Sequence, residues 1–383
     1  MELMASRLSS LDEKLELLIE AACDEASPGE ERLVRRLDLS DAIYHAAAGG
    51  RRVPILKVLL SNACQNDCAY CAIRASASVP RCTLRPEELA AAFASMVQRG
   101  QVRGLFLSSG LCGDARRTMD KLLATAELVR KRYLSRGYVH LKLLPGATAD
   151  QVEQAARLAD RISVNLEAPS PDRLASIAPQ KDLGALLSLL EEAARLSRAG
   201  KGLAPAGPTT QFVAGAAHEP DRELLQAADM LYRKLRLERV YYSGFRPVPG
   251  TPLAQAPALP EWRQQRLYEA DFLLRDYGFR WDELPFDEEG NLPRAADPKL
   301  AWALAHRELF PLELNKATRA QLLRVPGIGP RSAERILRLR RHSPLRDVSQ
   351  LQACGIRVER CAPFVLLDGR RPSAQLPLFA PDA

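Results

Sequence analysis

Three cysteines stand close together in this chain and give it a cluster of soft metal ligands. Cys64, Cys68 and Cys71 are spaced C-x3-C-x2-C, and Tyr70 precedes the last of them. Three thiolates in one short loop can hold three corners of a [4Fe–4S] cube, although such clusters usually take four cysteine ligands. One iron would then stay open for a small chelating molecule. Zinc is the alternative, but it prefers four ligands in paired spacing, and no second cysteine or histidine pair lies nearby.

The cysteine spacing resembles that of the radical S-adenosylmethionine (SAM) superfamily. In that family the open iron binds the amino and carboxylate groups of SAM. The reduced cluster then splits SAM into methionine and a 5′-deoxyadenosyl radical. The resemblance therefore implies two cofactors, a [4Fe–4S] cluster ligated by Cys64, Cys68 and Cys71, and SAM itself. It also implies an electron donor such as flavodoxin or ferredoxin.

Apolar runs of strand length alternate with helical segments through most of the chain. The predicted strands are 55–60, 105–107, 139–143, 162–166, 211–213 and 239–242, and the predicted helices are 86–99, 114–133, 149–158, 183–199, 220–234 and 261–277. This alternation is typical of parallel βαβ units. Six such units fit the α/β class and the partial (β/α)6, TIM-like barrel of radical SAM enzymes. The chemistry of such barrels lies at the C-terminal strand ends, and the cysteine loop follows the first predicted strand.

Small and polar residues at later strand ends occupy positions that the resemblance places around SAM. Those predicted to contact it are Tyr70, Ser108, Ser109, Gly110, Asn165, Glu167 and Val213. The family usually carries a Gly-Gly-Glu-like turn after the second strand, and Ser-Ser-Gly departs from it while keeping small residues for close backbone approach. Asn165 and Glu167 end the fourth strand near the family's ribose position. A single Glu after a strand is equally well explained as a helix cap or a surface residue.

Several other side chains could either take part in the reaction or serve only in packing and helix capping. Cys112, just past the second strand, could donate a hydrogen atom or bind a metal, but free cysteine is more often a small buried residue. His140 and Lys142 share one face of the third strand. They are substrate-side candidates if that face points into the barrel, and buried or capping groups otherwise. We predict packing roles for Cys23, Cys82, Cys354 and Cys361.

Positive charge is concentrated near the C-terminal end. The segment from Glu313 to Arg371 has thirteen Lys or Arg and five Asp or Glu, so it carries +8 where the whole chain carries +7. Within it, the turn 326–329 (Pro-Gly-Ile-Gly) resembles a helix-hairpin-helix motif. Glycines there let a phosphate approach the amides at the next helix N-terminus. The predicted DNA-binding residues are Gly327, Gly329, Arg331, Arg335 and Arg338.

Such a motif grips the phosphate backbone and reads little sequence, so we expect salt-sensitive, sequence-independent DNA binding. A protein-binding helical module is the alternative. A second, degenerate hairpin is predicted over 351–364. No lysine follows Lys316, so the lysine nucleophile of bifunctional helix-hairpin-helix glycosylases is missing, and we exclude that activity.

The last residues carry a short motif. Gln375, Leu376, Leu378 and Phe379, with Pro377 between the leucines, resemble the pentapeptide that binds the bacterial sliding clamp. Two leucines and a phenylalanine in a flexible peptide suit an apolar groove, while glutamine fixes the register. The expected partner is therefore the clamp.

Composition sets the wider frame. No run approaches the ~20 apolar residues of a membrane span, and eight cysteines of mostly unpaired spacing favour the reducing cytoplasm over a disulfide scaffold. We predict an N-terminal helical segment (1–48), a barrel (49–284), a connector (285–311), an all-α helix-hairpin-helix domain (312–371) and a disordered tail (372–383).

Nearly the whole chain resembles the radical SAM proteins assigned to DNA modification or repair, a family associated with uracil-DNA glycosylases. The resemblance implies an enzyme that cleaves SAM to modify or repair DNA, with such a glycosylase as a repair partner. Two alternatives stay open. The substrate could be RNA, with the hairpin on tRNA phosphates, or the chain could be a non-enzymatic iron–sulfur factor that binds DNA.

Overall fold

A computed structural model describes residues 10–23, 43–48, 51–133, 137–200 and 202–372. These residues form two compact units. One lies within Met1–Glu219 and Met230–Gln264, and the other within Pro220–Asp229 and Gln265–Ala383. The predicted domain limits stay predictions. The tail motif at residues 375–379 lies outside the described residues, as does most of the predicted N-terminal helical segment (1–48).

The first unit is built on a seven-stranded sheet whose strands follow chain order. They are β1 (Ile43–Ala48), β2 (Arg51–Leu59), β3 (Gly104–Ser108), β4 (Tyr138–Lys142), β5 (Arg161–Ser163), β6 (Thr209–Ala214) and β7 (Arg239–Gly244). The strands β2 to β7 are parallel, and β1 pairs antiparallel with β2. Six parallel strands in sequential order form the predicted half-barrel.

Helices connect the strands. They are α1 (Leu11–Cys23), α2 (Pro86–Gln98), α3 (Ala115–Leu128), α4 (Ala149–Leu158), α5 (Pro171–Ile177), α6 (Leu183–Arg198), α7 (Asp221–Leu235) and α8 (Glu261–Asp276). Side chains that cap the free amides fix several starts. Asp182 accepts from the amide of Ala185 at 2.7 Å before α6. Thr148 and Gln151 satisfy each other's backbone amides before α4, and the bounds predicted for α4 are confirmed.

Alternate residues of the parallel strands differ sharply in chemistry. One set is aliphatic and fully buried: Leu56, Val58, Leu105, Leu107, Val139, Leu141, Ile162 and Val240. Successive side chains of a strand point to opposite faces, and helices α3, α4 and α6 pack on these strands. The aliphatic set therefore forms the core under the helices. The other set, which includes Lys57, Phe106 and His140, faces the interior of the half-barrel.

The structure differs from the expected secondary structure at two points. Residues 43–48, predicted as part of the N-terminal helical segment, form β1 instead, because each of them pairs with β2. The short helix α5 was not predicted. On α8, Phe272 is 44% exposed, and the guanidinium of Arg275 lies 4.9 Å from its ring centre.

The second unit is helical apart from two short parallel strands. Its elements from residue 298 onward are α9 (Pro298–Ala305), β8 (Leu312–Glu313), α10 (Arg319–Arg324), α11 (Pro330–Leu339), α12 (Val348–Ala353), α13 (Val358–Cys361) and β9 (Val365–Leu366). The predicted connector 285–311 thus includes a helix, α9, which buries Trp302. Over the described residues, every helix is too short or too polar to cross a bilayer.

Candidate functional site

The cysteine loop joins β2 to α2 and is closed at its base. The amide of Leu60 donates to Ser108 at 2.8 Å, which continues the sheet to the loop entrance. Ser61 forms an antiparallel bridge with Thr83. The side-chain oxygen of Asn62 accepts from the amide of Cys82 at 2.7 Å. The two ends of the loop are therefore tied to each other directly above the barrel strand.

A single guanidinium, that of Arg81, holds the interior of the loop. Its Nη1 donates to the carbonyls of Asn62 at 2.7 Å and Ile73 at 2.8 Å. Its Nη2 donates to the carbonyls of Arg74 at 2.5 Å and Ala77 at 3.0 Å. These carbonyls flank the cysteine segment on both sides. Arg81 therefore fixes the backbone from which the three thiols project, a role that the cysteine spacing did not reveal.

A second ion pair stiffens the same loop from within. Arg74 Nε donates to Asp67 at 2.7 Å, and its Nη2 contacts the other oxygen of the carboxylate. Asp67 also accepts from the amide and hydroxyl of Ser76, at 3.1 and 2.8 Å. The hydrogen bonds from Arg74 and Ser76 lower the pKa of Asp67. The carboxylate is therefore charged at neutral pH and bridges the two sides of the loop.

The thiols occupy the tip of this framework. Cys68 is buried, and Cys64 and Cys71 are partly exposed. The amide of Cys71 donates to Cys68 at 3.2 Å, and the amide of Ala69 donates to Ile177 at 2.7 Å, so the tip is held by its backbone. Burial raises the pKa of the Cys68 thiol, and the nearby positive charge of Lys181 opposes that shift.

The donor set fits a cluster of the predicted kind. Thiolate is the usual ligand of iron–sulfur clusters, and Cys64, Cys68 and Cys71 supply three from one anchored loop. Within the part of the chain that the structure describes, no three His, Cys, Asp or Glu side chains are gathered around one metal position. A cube of four irons holds its thiolates farther apart than a single ion does. These three cysteines would hold the cluster.

The turn after β3 packs against the cysteine loop. The amide of Gly110 donates to Ser61 at 2.7 Å. A methyl group at Gly110 would lie 2.5 Å from the carbonyl oxygen of Ala63 and 3.2 Å from Cβ of Cys64. The close packing at this glycine is against the backbone of the cysteine loop, whereas the approach predicted from the sequence was toward SAM. Contact of Ser108, Ser109 and Gly110 with SAM stays a prediction.

Glu167 and Lys181 form a buried ion pair beside the cysteines. Lys181 Nζ donates to Glu167 Oε1 at 2.9 Å, and their side chains are only 12% and 4% exposed. Burial works against the charge of Lys181, but Glu167 and then Cys68 raise its pKa above the usual value. Glu167 is thus neither a cap nor a surface residue. Lys181 went unnoticed in the sequence because no motif marks it.

Glu167 also ties together two of the strand ends predicted to surround SAM. Its backbone has φ of 65°, its amide donates to Gln211 at 2.9 Å, and its carbonyl accepts from Val213 at 2.8 Å. Val213 is mostly buried, and Asn165 and Tyr70 are partly exposed. The roles predicted for these residues toward SAM stay predictions.

Three further expectations for the barrel can be compared with the structure. His140 is buried, its Nε2 lies 2.8 Å from the hydroxyl of Ser163, and its ring stacks on Phe106 at 4.0 Å. Burial, and then the charges of Arg161, Lys142 and Lys57, lower the pKa of His140 well below its usual range. His140 and Lys142 alternate along β4 with the buried residues Val139 and Leu141, so they lie on the opposite, interior face. Cys112 is partly exposed, and not fully buried as expected.

The helix-hairpin-helix is present in the second unit. The turn between α10 and α11 has Gly327 at φ of 83°, a backbone region that favours glycine. Gly329 is the N-cap of α11 with extended backbone. Lys299 buttresses the turn, since its Nζ donates to Ile328 at 2.5 Å. Burial lowers the pKa of Lys299 to about 7.

The predicted second hairpin is also present. Gly355, at φ of 74°, separates α12 from α13. The side chains of Ser332 and Arg335 both donate to the carbonyl of Cys354 at 3.2 Å. Arg335 therefore joins the two hairpins. Arg331 and Arg338 are exposed, and seven residues apart on α11 they share one face.

Comparison with known families identifies both parts of the chain. Residues 58–244 match the model of the Radical SAM superfamily, and residues 311–356 match the model of the helix-hairpin-helix motif. The chain therefore contains a radical SAM domain and a helix-hairpin-helix motif. Radical SAM proteins use a [4Fe–4S] cluster and SAM, and the cofactors predicted from the cysteine loop are confirmed. No curated protein matches the chain.

Among solved structures, the chain is similar to the FeFe-hydrogenase maturase HydG from Carboxydothermus hydrogenoformans (17% identity, 57% of this chain, 50% of that chain, TM-score 0.47). It is also similar to methylornithine synthase PylB (13% identity, 59% and 64%, TM-score 0.47). A third is the radical SAM methyltransferase TsrM from Kitasatospora setae (16% identity, 59% and 43%, TM-score 0.39). The chain thus spans about half the length of HydG.

The packing at Gly110 leads to a testable expectation. Gly110→Ala should destabilise the protein by about 1–3 kcal/mol, because the added methyl meets rigid backbone, and it should lower the iron and sulfide bound after reconstitution. Gly184→Ala is the control. Its added methyl approaches a single side-chain atom, the capping carboxylate oxygen of Asp182 at 3.2 Å, and no backbone outside its own helix. Urea unfolding and chemical analysis of iron and sulfide measure both effects, and a fully loaded Gly110→Ala protein of normal stability would contradict the packing argument.

Proposed function

We propose that this chain is a radical SAM enzyme that modifies or repairs DNA. The observation that carries the proposal is the presence, in one chain, of an anchored three-cysteine loop above a half-barrel and of a basic two-hairpin module. The three-cysteine loop would hold the cluster that SAM cleavage requires. The two-hairpin module is typical of proteins that bind a phosphate backbone. The relatives named above do not indicate the substrate.

The residues of the barrel have separable tasks in this proposal. When bound, the cluster and SAM would supply the radical chemistry that removes a hydrogen atom from the substrate. Cys64, Cys68 and Cys71 would hold the cluster, and Arg81 keeps their loop in place. The buried Lys181–Glu167 pair sets the charge beside Cys68. The residues that we propose to surround SAM are Tyr70, Ser108, Ser109, Gly110, Asn165, Glu167 and Val213.

The hairpins would serve to hold the nucleic acid. The amides at the start of α11 follow Pro330 and are not capped by a side chain, so they can donate to a phosphate. Arg331 and Arg338 add positive charge on one face of the same helix. A base in a duplex would have to leave the stack before it could enter a barrel. RNA is the second candidate substrate, favoured by the same sequence-independent grip on phosphate.

SAM cleavage is the first expectation to test. Anaerobically reconstituted protein, reduced with dithionite in the presence of SAM, should release methionine and 5′-deoxyadenosine, and Cys68→Ser should abolish both products. Cys82→Ser is the matched control, since this thiol contacts Lys14 at 3.7 Å, away from the loop tip. Mass analysis of damaged oligonucleotides from the same reactions tests the DNA target. Intact SAM in the wild-type reaction would instead favour a non-enzymatic DNA-binding factor.

Binding to DNA gives a second expectation. The double variant Arg331→Ala/Arg338→Ala should weaken duplex binding alike for all sequences. It should also reduce the slope of log K against log salt by about 1 for each phosphate that the variant no longer neutralises. Arg319→Ala is the control, because Arg319 is already paired with Glu334 at 2.6 Å. Competition with tRNA in the same titration decides between DNA and RNA. An unchanged salt slope in the double variant would reject the proposal that the helix-hairpin-helix binds DNA phosphates.

The tail motif gives the third expectation, because Gln375, Leu376, Leu378 and Phe379 match the clamp-binding pattern. A pull-down with purified sliding clamp should capture the full chain, and Phe379→Ala should abolish capture by removing the aromatic anchor. Capture that is unchanged in Phe379→Ala would reject clamp binding.

Other partners follow from the same proposal. The proposed partners are a repair enzyme of the uracil-DNA glycosylase type and an electron donor such as flavodoxin or ferredoxin. A reducing cytoplasm would suit the thiols of the described part of the chain, which form no disulfide there.

A further inference from the structure

Two residues from outside the helix-hairpin-helix motif support its first hairpin. The match to the motif covers residues 311–356, whereas Tyr277 directly follows α8 and Lys299 lies in the first turn of α9. Both side chains reach the turn between α10 and α11. They come from parts of the chain that the sequence pattern of the motif does not mark, so their contribution can be recognised only from the structure.

Lys299 places an ammonium group directly behind this turn. The residue is only 8% exposed, and its Nζ donates to the carbonyl of Ile328 at 2.5 Å. Ile328 stands between the two glycines of the turn, and it immediately precedes Gly329, the N-cap of α11. The positive charge of Lys299 therefore lies at the same end of α11 as the amides that no side chain caps.

No carboxylate of the described residues forms an ion pair with Lys299. The acidic group that acts on it is Asp297, which pairs with Arg360 and caps α9 through the amide of Leu300. Burial lowers the pKa of Lys299 to about 7, and Asp297 opposes that shift while Arg360 and Arg324 add to it. Because a buried cation without a counter-ion is costly, an anion bound at the turn would stabilise its charged form.

Tyr277 brings a hydroxyl group to the start of α11. A methyl group at Gly329 would lie 3.1 Å from this hydroxyl, so the oxygen lies against the backbone of the N-cap residue. Within the part of the chain that the structure describes, the hydroxyl makes no hydrogen bond. Burial, and then the charges of Asp276 and Asp297, raise the pKa of Tyr277, so the group keeps its proton at neutral pH and can donate. The ring of Tyr277 also contacts Lys299, whose Nζ lies 4.6 Å from the ring centre.

We propose that Lys299 and Tyr277 belong to the phosphate-binding site of the first hairpin, and that Lys299 takes up a proton from solvent when a nucleic-acid phosphate binds there. The amides of α11 and the hydroxyl of Tyr277 would donate to the phosphate oxygens, while the ammonium behind Ile328 supplies the charge. Since the phosphate favours the charged form of Lys299, binding and protonation are linked. This inference deepens the proposed function and rests on it in taking the hairpin as the nucleic-acid contact.

The linkage fixes the pH dependence of binding. Below about pH 7 the free protein already carries the proton on Lys299, and above it the amine must gain one on binding. Affinity for a duplex oligonucleotide should therefore fall about tenfold from about pH 6.5 to about pH 8.5 at constant salt, and binding at about pH 7.5 should take up about half a proton per chain. Calorimetry of the full chain, reconstituted anaerobically with its cluster, measures this uptake in buffers of different ionisation enthalpy.

Variants assign the proton to one residue. Lys299→Met should weaken binding about tenfold at about pH 6.5 and abolish the uptake, whereas Lys299→Arg, which is charged throughout this pH range, should bind without uptake. Lys316→Met is the matched control, because Lys316 is an exposed lysine of the same unit, and it should keep the wild-type uptake.

Tyr277→Phe should weaken binding about threefold to tenfold and leave the uptake in place, because it removes one hydrogen-bond donor and no charge. Tyr133→Phe is the control for loss of a hydroxyl, since Tyr133 is 37% exposed and lies in the first unit.

Urea unfolding of every variant distinguishes loss of the site from loss of the fold. Wild-type uptake in folded Lys299→Met or Lys299→Arg overturns the role of Lys299, and wild-type affinity in Tyr277→Phe overturns that of Tyr277. If Lys299→Met does not fold, the wild-type uptake and the Lys299→Arg variant still decide.

The proposed function fails separately from this inference. Duplex binding without proton uptake overturns the linkage and leaves the proposed function in place. If the duplex binds with the expected uptake but SAM cleavage alters no oligonucleotide, the reaction on DNA is rejected and the phosphate site stands. Failure to bind either duplex DNA or tRNA overturns both.

Discussion

The guanidinium of Arg81 is the interaction on which the candidate active site most depends. A loop that presents three thiols has few apolar side chains to hold it, so its shape must come from hydrogen bonds. Arg81 supplies four of them to backbone carbonyls on both sides of the cysteines. Without this side chain those carbonyls would be left without donors, which costs more than the bonds themselves contribute. The Asp67–Arg74 ion pair and the packing of Gly110 on the loop add to the hydrogen bonds that Arg81 makes.

The half-barrel adds a second constraint, because one face of each strand packs against helices and the other faces the barrel interior. Its aliphatic residues, such as Leu56, Leu105 and Val139, are fully buried on the face where the helices pack. Polar and titratable side chains that contact a substrate must then lie at the alternate strand positions or at the strand ends. This explains why His140 and Lys57 share one interior although they are far apart in the chain. Strand register brings them together, and the helices hold the register from outside.

The sequence predicts those features that depend on residues close together in the chain. The bounds of α4 were predicted from its helix-like sequence, and the cysteine loop was predicted from its spacing. The strand β1 was missed because an alanine-rich segment favours helix until pairing with β2 outweighs that preference. Arg81 and Lys181 were missed for another reason. One acts on backbone carbonyls and the other on a carboxylate fourteen residues away, and neither contact leaves a pattern in the chain. The joining role of Arg335 likewise depends on how α11 meets α12.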